Sequence, residues 1–87
     1  MKVKSEYILR ELAGQNIVVP IGSEAVNFNG VITLNNSGKR LFKKLKEETT
    51  KEGLVQELLD TYDVSIEQAT KDVELFLHKL ESNNILE

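Results

Sequence analysis

Eighty-seven residues, 40% of them apolar, suffice for one small domain with a modest core and are too few for two. The absence of cysteine and the single histidine exclude a disulfide framework, thiolate metal sites and multi-histidine metal chemistry. The net charge of −3 is unevenly divided: residues 1–46 carry eight basic and three acidic groups, residues 47–87 three basic and eleven acidic ones, which predicts two electrostatically different surfaces.

The first third reads as sheet. Tyr7-Ile8-Leu9-Arg10-Glu11-Leu12 predicts a short strand. Ala13-Gly14-Gln15-Asn16 predicts a turn, in which Gly14 can take a positive φ. The β-branched run Ile17-Val18-Val19-Pro20-Ile21 predicts a second strand, with Pro20 at an end or an edge because it cannot donate to a ladder. Gly22 to Gly30 reads as a polar loop carrying Phe28. Val31-Ile32-Thr33-Leu34 predicts a third strand.

The remainder reads as three helices. Asn35, Asn36 and Ser37 can cap the first, which is expected to run to about Lys46 with Leu41, Phe42 and Leu45 as its buried stripe. Lys39, Arg40, Lys43, Lys44 and Lys46 cover much of the rest of its circumference. Thr49-Thr50-Lys51-Glu52 fits a capping box, so a second helix is expected from Thr49, with Leu54, Val55, Leu58, Leu59 and Tyr62 facing inward. Ser65-Ile66-Glu67-Gln68 fits another. Behind it Ile66, Ala69, Val73, Phe76, Leu77 and Leu80 share one face of a third helix. Asn83-Asn84 can end that helix, and Ile85-Leu86 form an apolar tail expected to pack back. Residues 1–87 therefore read as one α+β domain, winged-helix-like, with three N-terminal antiparallel strands followed by a three-helix unit.

The sequence offers no catalytic constellation. His78 has no histidine or cysteine companion for a metal, and nothing points to partners for it in a Ser–His–acid arrangement. Ser37-Gly38-Lys39 resembles the tail of a phosphate loop without the upstream glycine spacing. The reading is a non-enzyme with no cofactor and no metal. No apolar run reaches the roughly 18 residues that span a membrane. The opening Met1-Lys2-Val3-Lys4-Ser5-Glu6 lacks the apolar core of a signal peptide, so a cytoplasmic protein is expected.

Three features suit binding. Leu75 falls nearly opposite the apolar stripe of the third helix, where it could meet a partner or a second copy. Val31 to Leu34 could form a sheet edge able to pair with an extended peptide, although ordinary core residues would look the same. The basic first helix could attract acidic peptide or nucleic-acid phosphates. Against the nucleic-acid reading, the third helix carries Glu67, Asp72, Glu74 and Glu81 against Lys71 and Lys79, charge that opposes insertion beside phosphates.

The order and spacing of several motifs also resemble a known family. They are Ile32-Thr33-Leu34-Asn35 before the first helix, Thr50-Lys51-Glu52-Gly53-Leu54 opening the second, and Leu58-Leu59-Asp60-Thr61-Tyr62 ending it. The strongest is Asp72-Val73-Glu74-Leu75-Phe76-Leu77-His78-Lys79-Leu80 followed by Asn84-Ile85-Leu86-Glu87. Together they resemble the PqqD family, the peptide-recognition proteins of pyrroloquinoline quinone biosynthesis and related peptide-modifying pathways. The resemblance implies a chaperone that binds the leader segment of a ribosomally made precursor peptide. A modifying enzyme, a radical S-adenosylmethionine protein, would then act on the rest of that peptide. It further implies that the leader adds as a strand to Val31, Ile32, Thr33 and Leu34 and lies against Thr70, Val73, Glu74, Leu77 and His78 of the third helix, with Leu75 added. The polar stretch Ser23 to Asn29 departs from the family pattern. Two alternatives are a winged-helix DNA-binding regulator and a non-catalytic dimerisation or adaptor module.

Overall fold

The computed structural model describes residues 1–22 and 32–87, and these form the expected α+β arrangement. Val31 and the loop residue Phe28 lie outside the described residues. Strands β1 (Tyr7–Leu12), β2 (Gln15–Pro20) and β3 (Ile32–Leu34) form an antiparallel sheet in the order β1-β2-β3. Helices α1 (Asn36–Lys44), α2 (Lys51–Thr61) and α3 (Ile66–Ser82) follow.

The β1–β2 hairpin is tighter than the expected four-residue turn. Leu12 pairs with Gln15, which leaves only Ala13 and Gly14 between the strands, at φ 53° and 78°. Positive φ at both central residues is the type I′ geometry, whose twist matches that of antiparallel strands. Gln15 and Asn16 therefore belong to β2, and Pro20 ends it opposite Tyr7. Asn16 and Val18 stand opposite Leu34 and Ile32 in the β2–β3 ladder. Along β3 the side chains alternate, with Ile32 and Leu34 buried and Thr33 exposed.

Each helix starts on a side-chain cap. Asn35 Oδ1 accepts from the Gly38 amide at 2.8 Å, and Lys43 and Lys44 end α1 where their charge suits the helix dipole. The helix stops two residues short of the expected Lys46, because the amides of Lys46 and Glu47 turn back to Lys43 and Lys44, three residues behind. The α2 cap is Thr50, not Thr49: its Oγ1 accepts from the Gly53 amide at 3.0 Å. The residue three positions on is therefore glycine, so the expected box with Glu52 does not form. The Thr49 amide donates instead to the Met1 carbonyl at 3.0 Å. Ser65 caps α3 as expected, but the Gln68 side chain donates to Asp72 instead of completing the box.

One core joins sheet and helices. It contains Val18, Ile32 and Leu34 from the sheet, Leu41 and Phe42 from α1, Leu54 and Leu58 from α2, and Ala69, Val73, Phe76, Leu77 and Leu80 from α3. Ile66 departs from the expected stripe and is 63% exposed. Its angular phase matches the stripe, so its place at the very start of the helix, not its rotation, leaves it in solvent. Asn84 at φ 58° closes α3: the amides of Asn84 and Ile85 donate to the carbonyls of Glu81 and Leu80, a Schellman ending. Ile85 then packs back fully buried, and Leu86 bridges to Val3. Among the described residues, no helix is long and apolar enough to cross a membrane.

Candidate functional site

At one edge of the sheet, β3 lies against the start of α1. It pairs with β2 along one side and has no strand on the other among the described residues. An uncovered edge carries backbone donors and acceptors free to pair. Beside it runs a groove of about 380 Å³. Thr33, Leu34 and Asn35 form one wall, and Asp72, Leu75, Phe76 and Lys79 of α3 form the other. Ser37, Gly38 and Leu41 of α1 complete the lining.

The glycine at position 38 has a packing reason. A Cβ there would stand 3.2 Å from Asn35 Oδ1 and 3.3 Å from Leu34 Cβ, so any larger residue would make these neighbours give by a few tenths of an ångström. Gly38 and Leu34 both line the groove. Leu34 and Phe76, on opposite walls, are mostly buried, whereas Leu75 is 65% exposed. The lining is thus apolar at the centre, with a carboxylate and an ammonium of α3 along it. Such a surface suits an extended chain with alternating side chains more than it suits chemistry.

The structure brings together only some of the residues expected at the site. Thr33, Leu34 and Leu75 line the groove. Ile32 is on β3 with its side chain in the core, and Val31 lies outside the described residues. Val73 and Leu77 are core residues packed away from solvent. Glu74 turns toward α2, where its carboxylate accepts from Lys51 Nζ at 2.5 Å. Thr70 is half-buried and His78 exposed, and neither lines the groove. At about 100° per residue, Asp72, Leu75, Phe76 and Lys79 share one sector, and Thr70, Glu74 and His78 share another nearly opposite. Asp72, Phe76 and Lys79 were missed by sequence reasoning, yet Leu75 marks their sector: they are its neighbours at i−3, i+1 and i+4.

A second cleft, of about 620 Å³, runs along α1 between Lys39, Arg40, Lys43 and Lys44 on one side and Glu57 of α2 and its C-cap residue Tyr62 on the other. Glu57 accepts from Arg40 at 3.1 Å and lies 3.8 Å from Lys44 Nζ. Hydrogen bonding to Glu57, and then to Tyr62, raises the Arg40 pKa above its ordinary value. Lys46, one turn on, lies 5.6 Å from the centre of the Phe42 ring. No group of three or more His, Asp or Glu residues able to hold a metal ion occurs among the described residues.

Comparison with known proteins gives a consistent picture. The family model described as coenzyme PQQ synthesis protein D (PqqD) matches residues 6–86. The structure of TbiB1 in complex with the TbiA(beta) leader peptide superposes with a TM-score of 0.77 at 20% identity, covering 100% of this chain and 95% of that one. Lasso peptide synthetase B1 complexed with the leader peptide superposes with a TM-score of 0.73 at 15% identity, covering 97% of this chain and 93% of the other. At these identities the likeness is one of fold. Among curated proteins the chain has no match.

Proposed function

The chain belongs to the PqqD family, and from that premise we propose that it binds the leader segment of a ribosomally synthesised precursor peptide and presents it to a separate modifying enzyme. The observation that carries this reading is the groove between β3 and α3 beside a strand edge with no partner strand among the described residues. The leader adds to β3 as a further strand. Backbone pairing fixes its position with little demand on sequence, and side chains that alternate toward α3 meet Leu34, Leu75 and Phe76. Both solved structures of similar fold hold leader peptides, which supports the reading.

Residues 1–87 act as a single recognition domain without chemistry of their own. The domain works in the cytoplasm by raising the local concentration of the peptide beside its enzyme. That enzyme is proposed to be a radical S-adenosylmethionine protein, as the resemblance in sequence implies. The binding site comprises Ile32, Thr33, Leu34 and Leu75, joined by Asp72, Phe76 and Lys79.

Titration of the isotopically labelled protein with the leader of the precursor encoded beside it tests the proposal. Resonances of Thr33, Leu34, Leu75 and Lys79 are expected to move together. Perturbation confined to Thr70, Glu74 and His78 would relocate the site, and no perturbation anywhere would remove the function. DNA duplex serves as the control ligand, and binding of duplex in preference to leader would overturn the reading.

A further inference from the structure

Three clefts meet around the first turn of α1. The β3–α3 groove shares Asn35, Ser37 and Asp72 with a recess of about 380 Å³ whose apolar lining is Leu58, Tyr62 and Val64. That recess in turn shares Asn36 and Tyr62 with the basic cleft along α1. A chain that runs past the end of β3 therefore meets an apolar recess first and a cluster of cations second.

We propose that the basic cleft is a second subsite for the same peptide, one that takes acidic residues lying beside the strand-forming segment, with an apolar residue between the two. This rests on the peptide-binding reading above and adds a sequence requirement to it. Lys39, Arg40, Lys43 and Lys44 bring four positive charges to the lining, and Glu57 brings the one negative charge. Glu57 engages Arg40 and Lys44, and Lys39 leans toward Glu11 at 3.7 Å. Lys43 makes no ion pair among the described residues, so a carboxylate entering the cleft finds a cation not already matched.

A solvated helix face is convex, whereas these cations line a concavity walled by Glu57 of α2 and by Tyr62 at its end, a shape that concentrates their field. A nucleic-acid backbone fits less well, because Asp72 stands at the junction with the groove and repels phosphate. Distance also favours one continuous peptide. From Asn36 to Lys43 is about 10 Å along a helix axis, which an extended chain covers in about three residues.

Selection of random fourteen-residue displayed peptides, run in parallel on the wild-type protein, a Lys43→Glu/Lys44→Glu variant and a Leu75→Glu variant, tests this. All three substitutions are on exposed side chains, and circular dichroism verifies the fold. The wild type is expected to select a strand-forming run followed on one side, within about three to six residues, by Asp or Glu. The double variant is expected to keep the strand-forming run, lose the acidic flank and bind the wild-type peptides about ten-fold more weakly. Leu75→Glu is expected to lose both. Strand-forming peptides with no acidic flank on either the wild type or the double variant would overturn the subsite and leave leader binding standing. Acidic peptides still captured by Leu75→Glu would overturn it in favour of a separate docking site for an acidic surface of the enzyme. Failure of the wild type to select any strand-forming run would overturn the peptide-binding reading and the subsite with it.

Discussion

Lys51 Nζ donates to the Glu74 carboxylate at 2.5 Å and so ties the first turn of α2 to the middle of α3. The pair is exposed on both sides and contributes little energy, about 0–1 kcal/mol for such bridges. Its value here is as a marker of rotation. With Glu74 toward α2, the adjacent Leu75 is carried around to the side of α3 that lines the groove beside β3.

That rotation predicts which substitutions disturb binding. Leu75→Ala is expected to weaken leader binding about ten-fold or more, since an apolar anchor at an interface is commonly worth more than 1 kcal/mol. Glu74→Gln and His78→Ala are expected to leave affinity within about two-fold, as changes remote from an interface do. Isothermal titration with the leader peptide reads both. The reverse ranking would place the peptide on the opposite face of α3.

The elements were legible where local chemistry decides them. Tyr7–Leu12 is a strand bounded by residues that suit a tight turn, and the Leu41, Phe42, Leu45 stripe follows from helical phase alone. Leu75 was legible as an anomaly for the same reason. The rest of the groove was not. Asp72 and Lys79 read as ordinary solvated charge until β3 is placed beside α3, a pairing between distant segments that leaves no periodic trace. The junction of Val3 with Leu86 is equally silent, since neither residue's neighbours predict it. Asn16 read as a turn residue because the hairpin needs two loop residues where four were available.

Gly38 is expected to be intolerant of branched side chains. Its missing Cβ already borders on the Asn35 cap and on Leu34. Gly38→Val adds two methyl groups beyond that Cβ and is expected to lose about 1–3 kcal/mol, the usual cost of overpacking. Urea denaturation measures the loss. An unchanged midpoint would mean that the α1–β3 contact is slack.

Asn16 is expected to lower stability as it stands. It is 8% exposed, and its Oδ1 makes no hydrogen bond among the described residues. A buried acceptor left unsatisfied costs about 1–3 kcal/mol, and valine suits a strand better than asparagine. Asn16→Val is therefore expected to raise the thermal midpoint by several degrees, about 4–8 °C per kcal/mol for a domain of this size. A lowered midpoint would show that the amide has a partner after all.

Strand addition makes a finer prediction about β3 itself. In an antiparallel pair, successive residues alternate between turning both backbone groups toward the partner strand and turning both away. Since β2 occupies one side of β3, the amides of Ile32, Thr33 and Leu34 divide into a set already engaged and a set facing the open edge. Leu12 and Gln15 close the hairpin as a bonded pair, so Asn16 and Val18 turn toward β3; Leu34 and Ile32 opposite them are bonded to β2, and Thr33 alone belongs to the second set. A leader that pairs with the edge is expected to slow hydrogen exchange of that set, while the amides bonded to β2 change only as far as the whole domain is stabilised. Residue-resolved exchange with and without leader separates the two. Equal slowing of all three amides would indicate general stabilisation instead of pairing, and unchanged exchange throughout β3 would mean that the peptide is held by side chains of the groove without joining the sheet.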